Sequence, residues 1–281
     1  MKLIRYFANG SVRTGVLTGH DQFVDVTSAG SLLTLLMDSG ARARAQQAAL
    51  DASSAQALAG VELLAPVSPG KIIAIGLNYR DHAAEGGQPI PNKPIIFAKF
   101  GNSLANPNAT ITWYADQTTK MDYEAELGIV IGTTTHRVSE ENALGHVGGY
   151  VCANDISARD LQMGDDQKQW VLGKSLDGSC PIGPSITTAD EIPDPQTLGI
   201  RCILNGQTVQ NSNTAQMIFS VARLVAHCSH YMTLQAGDLI VTGTPPGVGS
   251  ARKPPLYMKD GDEVTIEIDQ IGRLTNRLRV L

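Results

Sequence analysis

Asp122, Glu124 and Glu126 occupy every second position of Met121-Asp122-Tyr123-Glu124-Ala125-Glu126-Leu127, which runs on into Gly128-Ile129-Val130-Ile131-Gly132. In an extended chain alternate side chains share a face, with same-face neighbours roughly 7 Å apart. The three acids therefore line one side and Tyr123, Ala125 and Leu127 the other. Like charges so close repel unless a cation sits among them, and two such carboxylates can converge on one ion. The competing reading of this stretch alone is the solvated face of an edge strand. Asp155 stands just past the apolar run Gly149-Tyr150-Val151-Cys152-Ala153, a usual place for a functional carboxylate, though it could equally cap a following helix. An all-carboxylate set suits a hard cation with oxygen ligands, Mg²⁺ or Mn²⁺ with Ca²⁺ also admitted, and not zinc.

Other residues could do chemistry near such a site. His82 and Glu85 fall at i, i+3 in Asn78-Tyr79-Arg80-Asp81-His82-Ala83-Ala84-Glu85-Gly86-Gly87. One or two helical turns there would put them on one face, as a general base with its orienting carboxylate or as a plain solvated face. Gly86-Gly87 would leave the segment mobile. Lys174 ends Trp170-Val171-Leu172-Gly173-Lys174, which suits a partly buried amine aimed at an anion or a snorkelling surface lysine. Gly173-Lys174-Ser175 is not a P-loop, because Lys168 stands where that motif needs glycine. The loop Gly243-Thr244-Pro245-Pro246-Gly247-Val248-Gly249 could hold a carboxylate on its N–H groups and Thr244, or be a tight turn. His227 and His230 have no acid at metal-ligand spacing and read as ordinary histidines.

The elements that must position these residues are mostly strands. Ile72–Ile75, 94–99, 149–154, 238–242 and the alternating Val264, Ile266 and Ile268 read as strands, and 200–209 as a hairpin turning at Asn205-Gly206. Ala215 to His230 carries apolar residues at helical spacing. Many strands and few helices predict a mainly β, α+β fold with a closed or rolled sheet rather than a doubly wound one. Residues 1–66 form a distinct compositional zone, read as a small α+β domain ahead of a main domain over 70–281. In it, a strand over Lys2–Phe7 precedes a turn at Asn9-Gly10. Ser31 caps a helix through Met37 that Gly40 ends, and Ala41 to Ala59 reads as helical.

The chain has 281 residues, 42% hydrophobic and 17% charged, with a net charge of −5. That argues against nucleic acid or an anionic membrane as the main partner. No secretory signal or membrane span is read. Four scattered cysteines without CxxC spacing read as free thiols in a reducing cytoplasm.

In combination these motifs resemble the fumarylacetoacetate hydrolase family, from about Lys71 to Leu281. The resemblance rests on Gly76-Leu77-Asn78-Tyr79-x-x-His82-x-x-Glu85, Asp122-Tyr123-Glu124-x-Glu126-Leu127, Asn154-Asp155-x-Ser157-Ala158-Arg159-Asp160, Gly173-Lys174-Ser175, and Thr242 through Gly249. Gln167-Lys168-Gln169-Trp170 and Gln210 through Thr214 are closest to the branch called fumarylacetoacetate hydrolase domain-containing protein 2. The resemblance implies a mixed β-roll, a homodimer, and Mg²⁺ or Mn²⁺ on Glu124, Glu126 and Asp155, with Asp122 not a ligand. It makes the His82–Glu85 segment a lid and sets Arg159, Gln162, Lys174 and Thr244 around a small oxo-acid substrate. One departure is Asp177-Gly178-Ser179-Cys180, where relatives often have Asp-Thr-Phe-Cys; losing the aromatic is expected to widen the pocket. The expected activity is C–C hydrolysis of an acylpyruvate through a metal-bound enolate, with Lys174 adding positive charge and His82 and Glu85 activating water. The alternatives are oxaloacetate decarboxylation or keto–enol tautomerisation at the same site, or a metal-stabilised binding protein without catalysis.

Overall fold

The alternation in the acid-bearing stretch is present in the fold, interrupted once. In the computed structural model, which describes residues 1–164 and 168–281, Met121–Asp122 and Ala125–Ile131 are strands and Tyr123 and Glu124 lie between them. Gln167, part of the branch resemblance, lies outside the described residues. Tyr123, Ala125, Leu127, Ile129 and Ile131 all enter one apolar core, whereas Val130 enters a second core on the opposite side. With both faces covered, the strand beyond Glu126 needs no polar position, hence its unbroken Leu-Gly-Ile-Val-Ile.

Ala125–Ile131 lies inside a twelve-stranded mixed sheet of the described residues. On one side it pairs antiparallel with Val147–Asn154, then comes Cys180–Thr188; on the other side follow Leu239–Val241, Ile72–Gly76 and the edge strand Ile95–Lys99. Leu239–Val241 and Ile72–Gly76 run parallel, the rest of this group antiparallel. A five-stranded sheet, in the order Gln207–Asn213, Gly199–Leu204, Glu263–Ile268, Gly272–Val280, Thr110–Trp113, closes over it. Ile200, Cys202, Ile266, Ile268 and Leu274 of the second sheet share a core with Leu127, Ile129 and Tyr150 of the first. The rolled, mainly β reading is what the fold contains.

Hairpins turn where the sequence places them: Asn9 and Gly10 have φ of 52° and 74°, Asn205 and Gly206 51° and 78°, the left-handed pair a two-residue turn requires. Two N-terminal expectations are corrected. Asp38, not Gly40, separates the first two helices: it ends Leu32–Met37 and caps Ser39–Ala49 by accepting the Gly40 and Ala41 N–H groups. The second helix stops at Ala49, and Ala55–Ala57 is a strand on Gln22–Asp25, because ladder pairing overrides the helical propensity of an alanine-rich stretch. Ser31 does cap the first helix, through the Thr34 N–H.

Lys2–Ala8 pairs antiparallel with Cys180–Thr188, so the N-terminal strands continue the main sheet. The two N-terminal helices cover its outer face, where Leu32, Leu35, Leu36, Ala41 and Ala45 pack with Val130, Val151, Ala153 and Ile182. Deleting residues 1–66 bares both the edge of Cys180–Thr188 and this apolar face, and the truncated chain is expected to aggregate on expression. Leu35→Ala, at a site with no solvent exposure, should cost about 2–5 kcal/mol in urea unfolding while leaving metal-site chemistry intact.

Candidate active site and metal centre

Register brings the acids together. Ala125 pairs with Asn154 and Glu126 with Ala153, so the residue opposite Glu124 is Asp155. The Asp155 N–H donates to the Glu124 carbonyl at 3.0 Å, and the Glu124 N–H to Asn154 Oδ1 at 3.0 Å. Asp155 does not cap the helix Arg159–Met163, which starts after Ala158. Carboxylate oxygens of Glu124, Glu126 and Asp155 lie within 4.8 Å of one another, and all three residues are buried.

Three cations from three other elements pack against them, Lys99 and Lys174 buried and Arg159 partly so. Lys174, the last residue of the helix Trp170–Lys174, donates to Glu124 Oε2 at 2.6 Å and to Asp155 Oδ2 at 2.7 Å. Lys99, the last residue of the edge strand, donates to Asp155 Oδ1 at 2.6 Å. Arg159 spans Asp122 Oδ2 at 2.8 Å, Glu124 Oε1 at 2.7 Å and Gln162 Oε1 at 2.9 Å. Glu126 has no cation bonded to it among the described residues and accepts only the Gly243 N–H, at 2.7 Å. Gly243 has φ +90°, and a Cβ there would stand 2.8 Å from Asn78 Cβ, so only glycine aims this N–H at Glu126 without strain.

The electrostatics follow from the pairing. Burial opposes ionisation of Glu124, but Lys174 and then Arg159 outweigh it and hold the carboxyl at about 2. Burial, then the charges of Asp155 and Glu124, push Glu126 well above the usual carboxylate range. Burial also works against the Lys174 charge, and Asp155 and Glu124 overcome it, keeping the ammonium above its ordinary value. Oxygen-only donors this close fit a hard divalent ion. An ion on these oxygens would compete with Lys174 for Glu124 and Asp155 and supply positive charge beside Glu126.

His82 and Glu85 do share a short helix, Arg80–Glu85, with His82 Nδ1 and Glu85 Oε2 3.1 Å apart. Glu85 also accepts the Gly247 N–H. A cavity of about 780 Å³ is lined by His82, Glu124, Glu126, Arg159, Gln162, Lys174 and Thr244 among others; Glu85 and Asp155 stand behind its wall. Apolar lining comes from Ile75, Phe97 and Trp170. The Thr244 hydroxyl is committed, donating to the Ala125 carbonyl and accepting from Gln210. Ser179 is buried and bonds the Lys174 carbonyl at 3.0 Å. It does not line the cavity.

Sequence reasoning missed Lys99 and Gln210. Lys99 carries the same signal as Lys174, a lysine closing an apolar run, but in sequence it reads only as the end of a strand. Gln210 bonds the Ala125 N–H, Thr244 and the Pro245 carbonyl, joining the acid strand to the Thr244 loop; the sequence marks it only as part of the Gln210-to-Thr214 branch resemblance, with no role attached. All four cysteines are buried free thiols, and no helix of the described residues is long and apolar enough to cross a membrane.

Residues 71–279 match the family model described as fumarylacetoacetate (FAA) hydrolase C-terminal. The mitochondrial oxaloacetate tautomerase fahd2 of Xenopus laevis is 50% identical over 217 residues, 77% of this chain and 68% of that protein. A fumarylacetoacetate hydrolase from psychrophilic Exiguobacterium antarcticum superposes with a TM-score of 0.87 at 40% identity, covering 100% of both chains. A maleylpyruvate hydrolase from Sphingobium sp. SYK-6, in complex with manganese (II) ion and pyruvate, superposes at 0.84 and 34% identity, covering 100% of this chain and 99% of that one.

Mn²⁺ is expected to raise the thermal midpoint of the wild type, by about 2.7 kcal/mol of stability at a hundredfold excess over Kd. Glu126→Gln keeps an acceptor for Gly243 but removes a ligand charge. It should fold at least as stably without metal and lose the Mn²⁺ shift, read by scanning fluorimetry.

Proposed function

The chain belongs to the fumarylacetoacetate hydrolase family, and from that premise we propose that it is a divalent-metal-dependent enzyme of small 2-oxo acids, interconverting the keto and enol forms of oxaloacetate. The observation that carries the reading is the position of His82. It lies on the wall of the cavity that exposes Glu124, Glu126, Arg159 and Lys174, and its other side is bonded to Glu85. A proton-transfer group thus faces a cationic, acid-lined pocket. The choice among the family's reactions is supported by the 50% identical relative named as an oxaloacetate tautomerase.

Glu124, Glu126 and Asp155 would hold Mg²⁺ or Mn²⁺, which when bound polarises the 2-oxo group as a Lewis acid. Arg159 and Gln162 orient the substrate carboxylate, with Thr244 on the adjoining wall. His82 takes the proton from C3, and Glu85 fixes the ring and stabilises its charge. Lys174 places an ammonium where negative charge develops on the oxo oxygen, a preorganised rather than a solvent dipole. The proton then returns to oxygen, giving the enol; no bond between carbons breaks.

A second reading, hydrolysis of an acylpyruvate, is favoured by the likeness to a maleylpyruvate hydrolase. The same His82–Glu85 pair would then activate water to attack the C4 carbonyl. Decarboxylation of oxaloacetate would need no such base, which puts it third. We place the enzyme in a reducing compartment such as the cytoplasm, in keeping with its free thiols, and as a homodimer. The exposed Ile95 and Phe100 beside the sheet's edge strand are the support for a second copy.

With Mg²⁺ or Mn²⁺, the wild type should speed the ultraviolet absorbance decay of enol-oxaloacetate and leave acetylpyruvate intact. His82→Ala should lower kcat by at least a hundredfold, within the range of general base catalysis, with the Mn²⁺ stability shift retained. Release of pyruvate and acetate from acetylpyruvate would instead make the hydrolytic reading the correct one.

A further inference from the structure

The His82–Glu85 pair is tied to the acid strand by contacts that the chemistry above leaves unused. Both Glu85 oxygens accept the Gly247 N–H, at 3.0 and 3.1 Å. The Gly247 carbonyl accepts two donors in turn, the Tyr123 hydroxyl and Arg252 Nε, each at 3.1 Å. Arg252 Nε also lies 3.1 Å from the Tyr123 oxygen, and its Nη2 donates to the Val209 carbonyl. Gly247 has φ +102°, and a Cβ would stand 2.2 Å from the Val209 carbonyl. The loop is therefore pressed onto Gln207–Asn213 in a conformation that glycine alone adopts easily. Tyr123 is wholly buried and sits between Asp122 and Glu124.

The helix carrying His82 needs such a hold. It has only six residues, and its C-terminal side runs into exposed Gly86 and Gly87. Arg80 and Asp81 anchor its start, to the Met217 carbonyl and the Ser212 hydroxyl. At its end, the Glu85 side chain bonds His82 and Gly247 and no other group among the described residues.

We propose that Tyr123 and Arg252 are positioning residues that lock Gly247 so that its N–H holds Glu85, and through Glu85 hold the His82 ring over the acid cluster. The lid helix is thereby coupled to the strand that bears Glu124. The consequence for turnover rests on the reading of His82 as the proton-transfer group; the coupling itself does not.

Two measurements separate these. Amide hydrogen exchange over 78–88 should speed up about tenfold in Arg252→Met and about threefold in Tyr123→Phe, with 125–131 unchanged. Unchanged exchange over 78–88 in both variants overturns the proposal. For catalysis, Arg252→Met should lower kcat about tenfold with KM within twofold, yet less than twofold when added to Glu85→Ala, because the two act on one contact. A full tenfold loss on that background overturns it. If Arg252→Met does not fold, Tyr123→Phe keeps the ring volume and decides by exchange alone. Faster exchange without turnover of any 2-oxo acid upholds the positioning role and sinks the functional reading.

Discussion

Lys174 between Glu124 and Asp155 is the interaction on which the rest of the arrangement depends. Charges removed from water are tolerated only when paired and hydrogen-bonded, and stripping one partner leaves a buried charge uncompensated at about 3–5 kcal/mol. Asp122, Glu124, Glu126 and Asp155 bring four acids to one place, against Lys99, Arg159 and Lys174. One negative charge is in excess, and it falls on Glu126, the acid whose ionisation burial and its neighbours oppose. The three cations come from the end of an edge strand and from two short helices. Each element must therefore converge on the acid strand for any of them to be buried. A divalent ion held by Glu124, Glu126 and Asp155 would supply positive charge that Lys174 now supplies to Glu124 and Asp155.

Much of this was legible because it is periodic or local. The alternation of Tyr123, Ala125 and Leu127 against Asp122, Glu124 and Glu126 needs only the geometry of a strand, and the Asn9-Gly10 and Asn205-Gly206 turns need only left-handed φ. The i, i+3 spacing of His82 and Glu85 likewise survives into a 3.1 Å contact. What was not legible is set by pairing across long stretches of chain. Asp155 meets Glu124 through strand register, Gln210 reaches Ala125 from the second sheet, and Lys99 arrives from a strand that otherwise looks like plain apolar sheet. The alanine-rich stretch after Asp38 fails for the same reason in reverse: Ala55–Ala57 finds a ladder partner in Gln22–Asp25, and a ladder outweighs propensity.

Replacing an aromatic by Ser179 implies a more open cavity. The Ser179 hydroxyl itself bonds the Lys174 carbonyl from behind the cavity wall, where it supports the end of the helix that delivers the ammonium. A substitution next to a site in sequence acts through whatever its side chain touches, and for Ser179 that is the backbone of a charged residue rather than the substrate space.

Tautomerisation, hydrolysis and decarboxylation differ in the bond that breaks, not in the charge that must be stabilised, so the acid cluster cannot choose among them. Tautomerisation moves one proton and hydrolysis requires a base to activate water; both demand a group outside the cluster whose distance from the substrate is fixed. In the proposed reaction His82 would be that group, and its short helix has little rigidity of its own. Held through Glu85 and Gly247 from the acid strand, as proposed, base and charge-stabilising cluster would share one frame. Selectivity between proton transfer and water attack would then depend on what occupies the cavity that both line, together with Phe97, Trp170 and Gln162.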